Sequence, residues 1–355
     1  MNTTGQLLRE NVFLVGPRWG HHAQHSGYEA FGRYVGTPLG SPIDFRWIQG
    51  KWYPLNRAFS IVAQHPMYSV GAAFNELITL QHMVRHSKGL YHVIYGDTDI
   101  RLLQHARRLT RNRLIASFHL PDSLLRENPA IRKVAKNLDA VVLVCEAQRS
   151  YFEELMPPER VFVVLHGADT DYFTPPSQPT SDPICITVGA HRRDFETLRT
   201  AIRLVWESRP DMRFVAVGTQ SDKNFRFTGL DDPRVTYLDR ITDAELLHAY
   251  HGAALAVFSF EAATANNAVL EAMSSGLPIV ATAVGGMPEY IPRDCGLLSP
   301  KGDAEALAAS TLDLLGDSRK RCIMGKASRA HALTHDYRKV ADRMQQIYLN
   351  VLKQR

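Results

Sequence analysis

The stretch from Ala253 to Ile291, AALAVFSFEAATANNAVLEAMSSGLPIVATAVGGMPEYI, constrains this chain's fold more than any other. Two apolar runs, Ala254–Phe260 and Ile279–Val284, have the length of buried strands. Between them a helical pattern predicts a helix from about Asn266 to Ser275, with Val269, Leu270 and Met273 facing a sheet and Gly276 and Pro278 ending it. A strand, crossover helix and strand make parallel neighbours, and ligands of such sheets bind at the carboxyl ends of the strands. Those ends are the loop Glu261–Ala265 and the pair Gly285-Gly286. The N–H groups of Asn266, Asn267 and Ala268 open the helix, where its dipole favours an anion such as phosphate. Glu271 lies one turn further in. A carboxylate there suits a ribose diol, whose two hydroxyls can donate to its two oxygens. The alternative is a helix-start or capping glutamate, but a capping box needs a hydroxyl or Asp three residues earlier, where Ala268 stands.

The runs Leu270-Glu271-Ala272-Met273, Gly276–Thr282 and Val284–Ile291 resemble the C-terminal signature of the retaining glycosyltransferases of family 4. That resemblance implies an α/β chain of the GT-B fold, with two Rossmann-like domains facing a central cleft and a C-terminal helix crossing back to the N-terminal domain. In the family's E-x(7)-E pair the second glutamate falls on Glu271, while the first position is Ala263; Glu261 lies two residues before it. The resemblance spans nearly the whole chain, strongest from residue 135 onward and weakest over 30–110.

At 355 residues the chain has room for two domains with full cores. Hydrophobic content of 45% with 22% charged residues is that of a globular protein, which sets disorder aside. No apolar run approaches the roughly 18 residues that span a bilayer, and the first residues carry neither a basic region nor an apolar signal core. The expectation is a cytoplasmic protein, peripheral on the inner membrane face at most. Four scattered cysteines fit reduced thiols and make no zinc or redox pair. The net charge of +5 is uneven: residues 1–172 hold 19 basic against 15 acidic side chains. Arg101, Arg107, Arg108, Arg111 and Arg113 cluster there, and could face anionic lipid or a phosphorylated acceptor, or simply form a solvated helix face. No interleaved aromatic pattern supports nucleic acid.

In chain order, Asn11–Val15 reads as the first strand and Gly16–Gly27 as a glycine- and histidine-rich loop before a helix starting near Tyr28. His21 and His25 have helical ligand spacing, but flanking glycines and the lack of a third ligand argue against a metal. Phe45–Tyr53 reads as a hairpin or an aromatic-basic loop. Further elements are a helix through Leu77–Val84, a strand at Tyr91–Tyr95, a helix over Arg101–Leu109 and a strand at Leu114–Phe118. His119 follows that last strand, where site residues belong; the alternative is a core histidine satisfied by backbone. A strand over Leu138–Glu146 and one at Arg160–Leu165 complete the first half. The proline-rich segment Pro175–Pro183 marks the domain boundary. Ile184–Val188 then leads through Gly189–Asp194 into a helix with Leu198, Ala201, Ile202, Val205 and Trp206 at helical spacing. Asp194 and Thr242 are candidate N-caps. Phe214–Gly218, Val235–Leu238, a helix from Asp243, Ala304–Leu315 and a last helix over Asp336–Leu352 follow.

The predicted division is therefore 1–174 for an N-terminal acceptor-binding domain, 175–335 for a nucleotide-sugar-binding domain and 336–355 for the returning helix. The resemblance further implies catalytic roles for His119, Arg193 and Glu271. Arg193 aligns with the family's phosphate-binding lysine through Leu198 and Ala201, and Arg192 substitutes for a companion arginine whose position holds Ala190. A cation there neutralises the departing diphosphate; the alternative is an exposed arginine at a helix start. Gly27, Gly189, Arg192, Arg193, Arg240, Asn266, Asn267, Ala268 and Glu271 are the expected donor-binding residues, with Arg240 in the segment lining the base. The implied activity is transfer of a hexose from a nucleoside diphosphate sugar to a saccharide, lipid-linked or small-molecule acceptor, with no resident cofactor and no metal. A nucleotide-sugar epimerase on the same fold, or a non-catalytic binding module, stays open at this point.

Overall fold

The computed structural model describes residues 8, 10–16, 24–39, 68, 70–105, 110–178, 180, 182–219 and 227–353. His21, Phe45–Tyr53, Arg107 and Arg108 lie outside the described residues, as does part of the helix expected over Arg101–Leu109. The chain divides into two compact units. One comprises residues 1–22, 27–165 and 337–355; the other comprises 23–26 and 166–336. The division after Leu165 lies upstream of the proline-rich segment, because residues 166–174 are tied into the second unit. The His166 N–H donates to the Tyr290 hydroxyl at 2.6 Å, and the Ser274 hydroxyl donates to the Phe173 carbonyl at 2.5 Å.

In the first unit six parallel strands form one sheet in the order β2-β1-β3-β4-β5-β6. They are β1 (Val12–Val15), β2 (Thr37–Leu39), β3 (Leu90–Val93), β4 (Arg113–Phe118), β5 (Ala140–Leu143) and β6 (Val161–Val163). Strands β1, β3 and β5 are buried at every residue, the near-continuous apolar run that a sheet covered on both faces needs. Around them lie α1 (Val70–Arg85), α2 (Asp122–Glu127), α3 (Pro129–Ala135) and α4 (Arg149–Glu153). The helix expected from near Tyr28 is a single 3₁₀ stretch over Tyr28–Arg33. Tyr34 is its C-cap, and Gly36, two residues further on, has a φ of 78°.

In the second unit the order is β12-β11-β10-β7-β8-β9, again all parallel. The strands are β7 (Ile184–Val188), β8 (Arg213–Val217), β9 (Val235–Leu238), β10 (Leu255–Phe258), β11 (Ile279–Thr282) and β12 (Gly296–Ser299). Its helices are α5 (Phe195–Ser208), α6 (Asp243–His251), α7 (Asn267–Ser274), α8 (Met287–Tyr290), α9 (Ala304–Gly316) and α10 (Ser318–Ala332). The caps are local and legible: Asp194 accepts from the Thr197 N–H, and Thr242 with Glu245 forms a capping box. The last helix, α11 (Tyr337–Lys353), belongs to the first unit, where Tyr348 reaches His92 with its hydroxyl 2.7 Å from Nδ1. No described helix is long and apolar enough to cross a membrane.

This is a two-unit α/β architecture with one parallel sheet in each. Strand order reverses between β7 and β10, which places the ligand crevice of the second unit at their carboxyl ends.

Candidate active site

The carboxyl end of β7 leads into Gly189–Asp194, and that of β10 into Ser259–Asn266. Gly189 has a φ of 83°, and a Cβ there would come to 3.4 Å from a terminal nitrogen of Arg193. The backbone of Arg193 bridges that of Phe260, which turns its side chain inward. Its guanidinium lies over the Phe260 ring at 4.3 Å and donates to the Val188 carbonyl at 2.6 Å and to Asn266 Oδ1 at 3.3 Å. Arg193 is only 4% exposed, its Nε has no hydrogen-bond partner, and it makes no ion pair with a described residue. Burial pushes its pKa down to about 9. An exposed helix-start arginine is therefore not what the structure shows. A buried guanidinium without a counter-charge carries a desolvation cost of several kcal/mol, about what an anionic ligand would relieve.

Asn266 is the N-cap of α7: its side chain accepts from the Val269 N–H at 3.2 Å. Asn267 and Ala268 are the first residues of the helix, so their N–H groups lack intrahelical acceptors and face the same end as Arg193. Arg192, which precedes Arg193, has a φ of 52°; its Nε is buried without a partner, and its carbonyl accepts from the Glu261 N–H at 3.0 Å. The loop after β10 is fastened to the double glycine, since Gly286 donates to the Ala263 carbonyl at 3.0 Å. A Cβ on Gly285 would lie 1.9 Å from that carbonyl oxygen, so only glycine fits.

One turn into α7, Glu271 is 4% exposed. Its Oε1 accepts from the Ser26 hydroxyl at 2.6 Å, and its Oε2 from the Tyr250 hydroxyl at 3.1 Å. Ser26 follows His25, which is anchored on three sides. The His25 Nδ1 is 2.7 Å from Asp169 Oδ2, its ring stacks on Tyr172 at 3.6 Å, and its N–H donates to Asp243 at 3.1 Å. Sequence reasoning named neither Tyr250 nor Ser26 as a partner of Glu271. No local spacing signals either, because they come from other elements.

The structure thus gathers Gly189, Arg192, Arg193, Asn266, Asn267, Ala268 and Glu271 at one end of one sheet. Arg240, past the end of β9, is exposed with a φ of 53°, and no described contact joins it to Arg193 or Glu271. Gly27 opens the 3₁₀ stretch of the first unit, where its carbonyl accepts from the Ala30 N–H.

His119 belongs to the first unit, just past β4. Its N–H donates to Asp97 Oδ2 at 2.6 Å, and its Nε2 lies 2.8 Å from the Ile94 carbonyl. A carbonyl only accepts, so this hydrogen bond requires a proton on Nε2. Tyr28 meets the ring at a T-shaped angle and Tyr95 at a tilt, at 4.7 and 5.0 Å between centroids. Behind it the Tyr28 hydroxyl, Ser117, His92 and Tyr348 form a continuous buried network. Burial, with His119 adding to it, holds the His92 pKa down to about 3, so this ring stays neutral.

Residues 182–317, the greater part of the second unit, match the family described as glycosyl transferases group 1. Sulfoquinovosyl transferase SQD2 of Arabidopsis thaliana is 35% identical over 163 residues, which are 44% of this chain and 31% of that protein. A GDP-mannose-dependent monoacylated alpha-(1-6)-phosphatidylinositol monomannoside mannosyltransferase of Corynebacterium glutamicum is 25% identical over 64% of this chain and 67% of its own length. The chain therefore spans from under a third to about two thirds of these relatives. Among solved structures, Anabaena Alr3699/HepE in complex with UDP-glucose superposes with a TM-score of 0.71 at 15% identity, covering 96% of this chain and 99% of that one. Sucrose-phosphate synthase from Thermosynechococcus elongatus gives 0.65 at 20% identity over 96% and 88%. At such identities the likeness speaks to the fold, and the fold is GT-B.

Proposed function

We propose that this chain, which has the GT-B fold and matches the glycosyl transferases group 1 over residues 182–317, moves a hexose from a nucleoside diphosphate sugar to an acceptor hydroxyl with retention. The observation that carries the reading is the buried cation of Arg193, which makes no ion pair with a described residue, at the N-terminal end of α7, with Glu271 one turn away. Arg193, Arg192 and the first N–H groups of α7 hold the diphosphate, and Glu271 takes the ribose hydroxyls. As the bond from the anomeric carbon to the diphosphate oxygen breaks, charge builds on that oxygen. Cations and oriented amides already in place stabilise it, the contribution that dominates such transfers. The acceptor oxygen bonds to the same face of the carbon, and its proton passes to the departing diphosphate. For His119, on the first unit, the resemblance implies a hydrogen-bonding role toward the reacting sugar.

A nucleotide-sugar donor is supported by HepE, whose solved complexes hold UDP and UDP-glucose. The names of the two relatives favour a glycolipid or glycan acceptor, bound against the first unit. The positive charge that the reaction needs comes from the chain's own guanidinium groups, so chelation should leave the rate unchanged. In this reading the protein works in the cytoplasm or peripherally on a membrane face.

The test is turnover with a panel of nucleoside diphosphate sugars and acceptors, following nucleotide release and assigning the new linkage by NMR. An α-linked product from an α-linked donor supports the reading. Isomerised sugar with no acceptor consumed, or no turnover with any pair, goes against it.

A further inference from the structure

Glu271 is held on both carboxylate oxygens by hydroxyls from elements distant in sequence. Tyr250 on α6 donates to Oε2, and Ser26 on the loop before the 3₁₀ stretch donates to Oε1. Neither hydroxyl is casually placed. Tyr250 is fully buried, and burial, with Glu271 adding to it, raises its pKa well above the ordinary range, so the phenol remains a donor. Its ring meets the edge of Phe173 at 6.0 Å, fixing its direction. Ser26 follows His25, which is pinned by Asp169, by the stack on Tyr172 and by Asp243. A glutamate side chain has several rotatable bonds, and freezing them costs of order 1–2 kcal/mol in lost rotamer freedom. Here that freedom is removed before any ligand arrives. Each carboxylate oxygen can accept more than one hydrogen bond, so the Ser26 and Tyr250 hydroxyls can set the carboxylate plane while the carboxylate also accepts from a ligand.

We infer that Tyr250 and Ser26 are positioning residues that aim Glu271 at a ribose diol, so that the site distinguishes ribonucleoside from 2′,3′-dideoxyribonucleoside diphosphates. The inference rests on the reading that this site holds a nucleotide. Tyr250 and Ser26 act through Glu271, and their removal weakens binding only of ligands whose sugar hydroxyls Glu271 accepts. A purely structural Tyr250 would instead weaken all nucleotides alike.

The experiment is calorimetric titration of the full chain with UDP, GDP and their 2′,3′-dideoxy counterparts, which offer Glu271 no sugar hydroxyl, for wild type, Tyr250→Phe, Ser26→Ala and Glu271→Ala. Wild type should prefer the ribonucleotide by about 10- to 100-fold, the range for a hydrogen bond to a charged group. Tyr250→Phe should shrink that preference to about threefold or less while leaving the dideoxynucleotide affinity unchanged. Ser26→Ala should move it the same way; Ser26 is partly exposed, so this variant carries the test if Tyr250→Phe fails to fold. Glu271→Ala should abolish the preference. Equal weakening of both sugars by Tyr250→Phe and Ser26→Ala, or a preference they leave untouched, overturns the inference while the donor-site reading stands. Wild type that binds these nucleotides but does not discriminate also overturns the inference alone. Binding of no nucleotide by the wild type overturns both.

Discussion

The Arg193 guanidinium donates to Oδ1 of Asn266 at 3.3 Å, the same oxygen that caps α7 through the Val269 N–H at 3.2 Å. One side chain thus terminates the helix and steadies the buried cation at its mouth. Asn266→Ala should lose both functions. We expect about 1 kcal/mol of lost stability from the missing cap in urea unfolding. A fall in nucleotide affinity should accompany it, which titration would detect. Asn266→Asp should keep the cap and weaken binding of the diphosphate, since it places an anion beside the phosphate site.

Arg193 separates function from stability in the opposite way. Replacing buried charge with an apolar side chain of similar volume is often neutral or stabilising. Arg193→Met should therefore hold or raise the melting temperature while lowering nucleotide affinity by about 100-fold, the worth of a charge-assisted contact of 1.5–3 kcal/mol. A variant that melts much lower would mark Arg193 as structural.

Gly285 has a φ of 52°, and any Cβ there would meet the Ala263 carbonyl. Gly285→Ala should cost about 2–4 kcal/mol through overpacking and backbone strain. The loop after β10 would also be displaced, and turnover should fall with stability. Gly302, where a Cβ meets nothing within 4 Å, is the comparison position. Gly302→Ala should change stability only through its φ of 76°, leaving turnover unchanged.

Asp99 predicts a pH dependence in the first unit. Burial, with Glu76 and Asp97 adding repulsion, raises its pKa to about 7, and burial raises that of Asp97 to about 7 as well. Between about pH 4 and 7 the folded chain keeps these protons while the unfolded chain releases them. Their stabilising contribution is complete below about pH 4 and is lost as pH rises through 7. Asp99→Asn should therefore raise the melting temperature at pH 8 and change it little at pH 4. An equal shift at both pH values would contradict the assignment.

Much of this was legible in the sequence, and the reasons are local. The strand, helix and strand around Glu271 announced themselves through two apolar runs, a glycine stop and helical spacing, and α7 indeed buries Val269, Leu270 and Met273. The caps at Asp194 and Thr242 needed only neighbouring residues. Arg193 could be placed by register from Leu198 and Ala201, but its burial could not be read, because that depends on the bridge to Phe260 across the sheet. Tyr250 and Ser26 were illegible for the same reason: their contact with Glu271 is made by the fold, across 21 and 245 positions of sequence. The helix α10 escaped the apolar pattern because it packs with few large side chains. Its Gly325 backs onto the Gly276 carbonyl, where a Cβ would come to 2.3 Å.

The most direct measurement is a thermal-shift screen of the full chain against UDP-, GDP-, ADP- and TDP-sugars, with Arg193→Met in parallel. A ligand at 100 times its dissociation constant should stabilise the native protein by about 2.7 kcal/mol. The account predicts that one nucleotide class stabilises the wild type and that Arg193→Met loses the effect without losing its fold. Stabilisation that survives in Arg193→Met, or none with any donor, would contradict it.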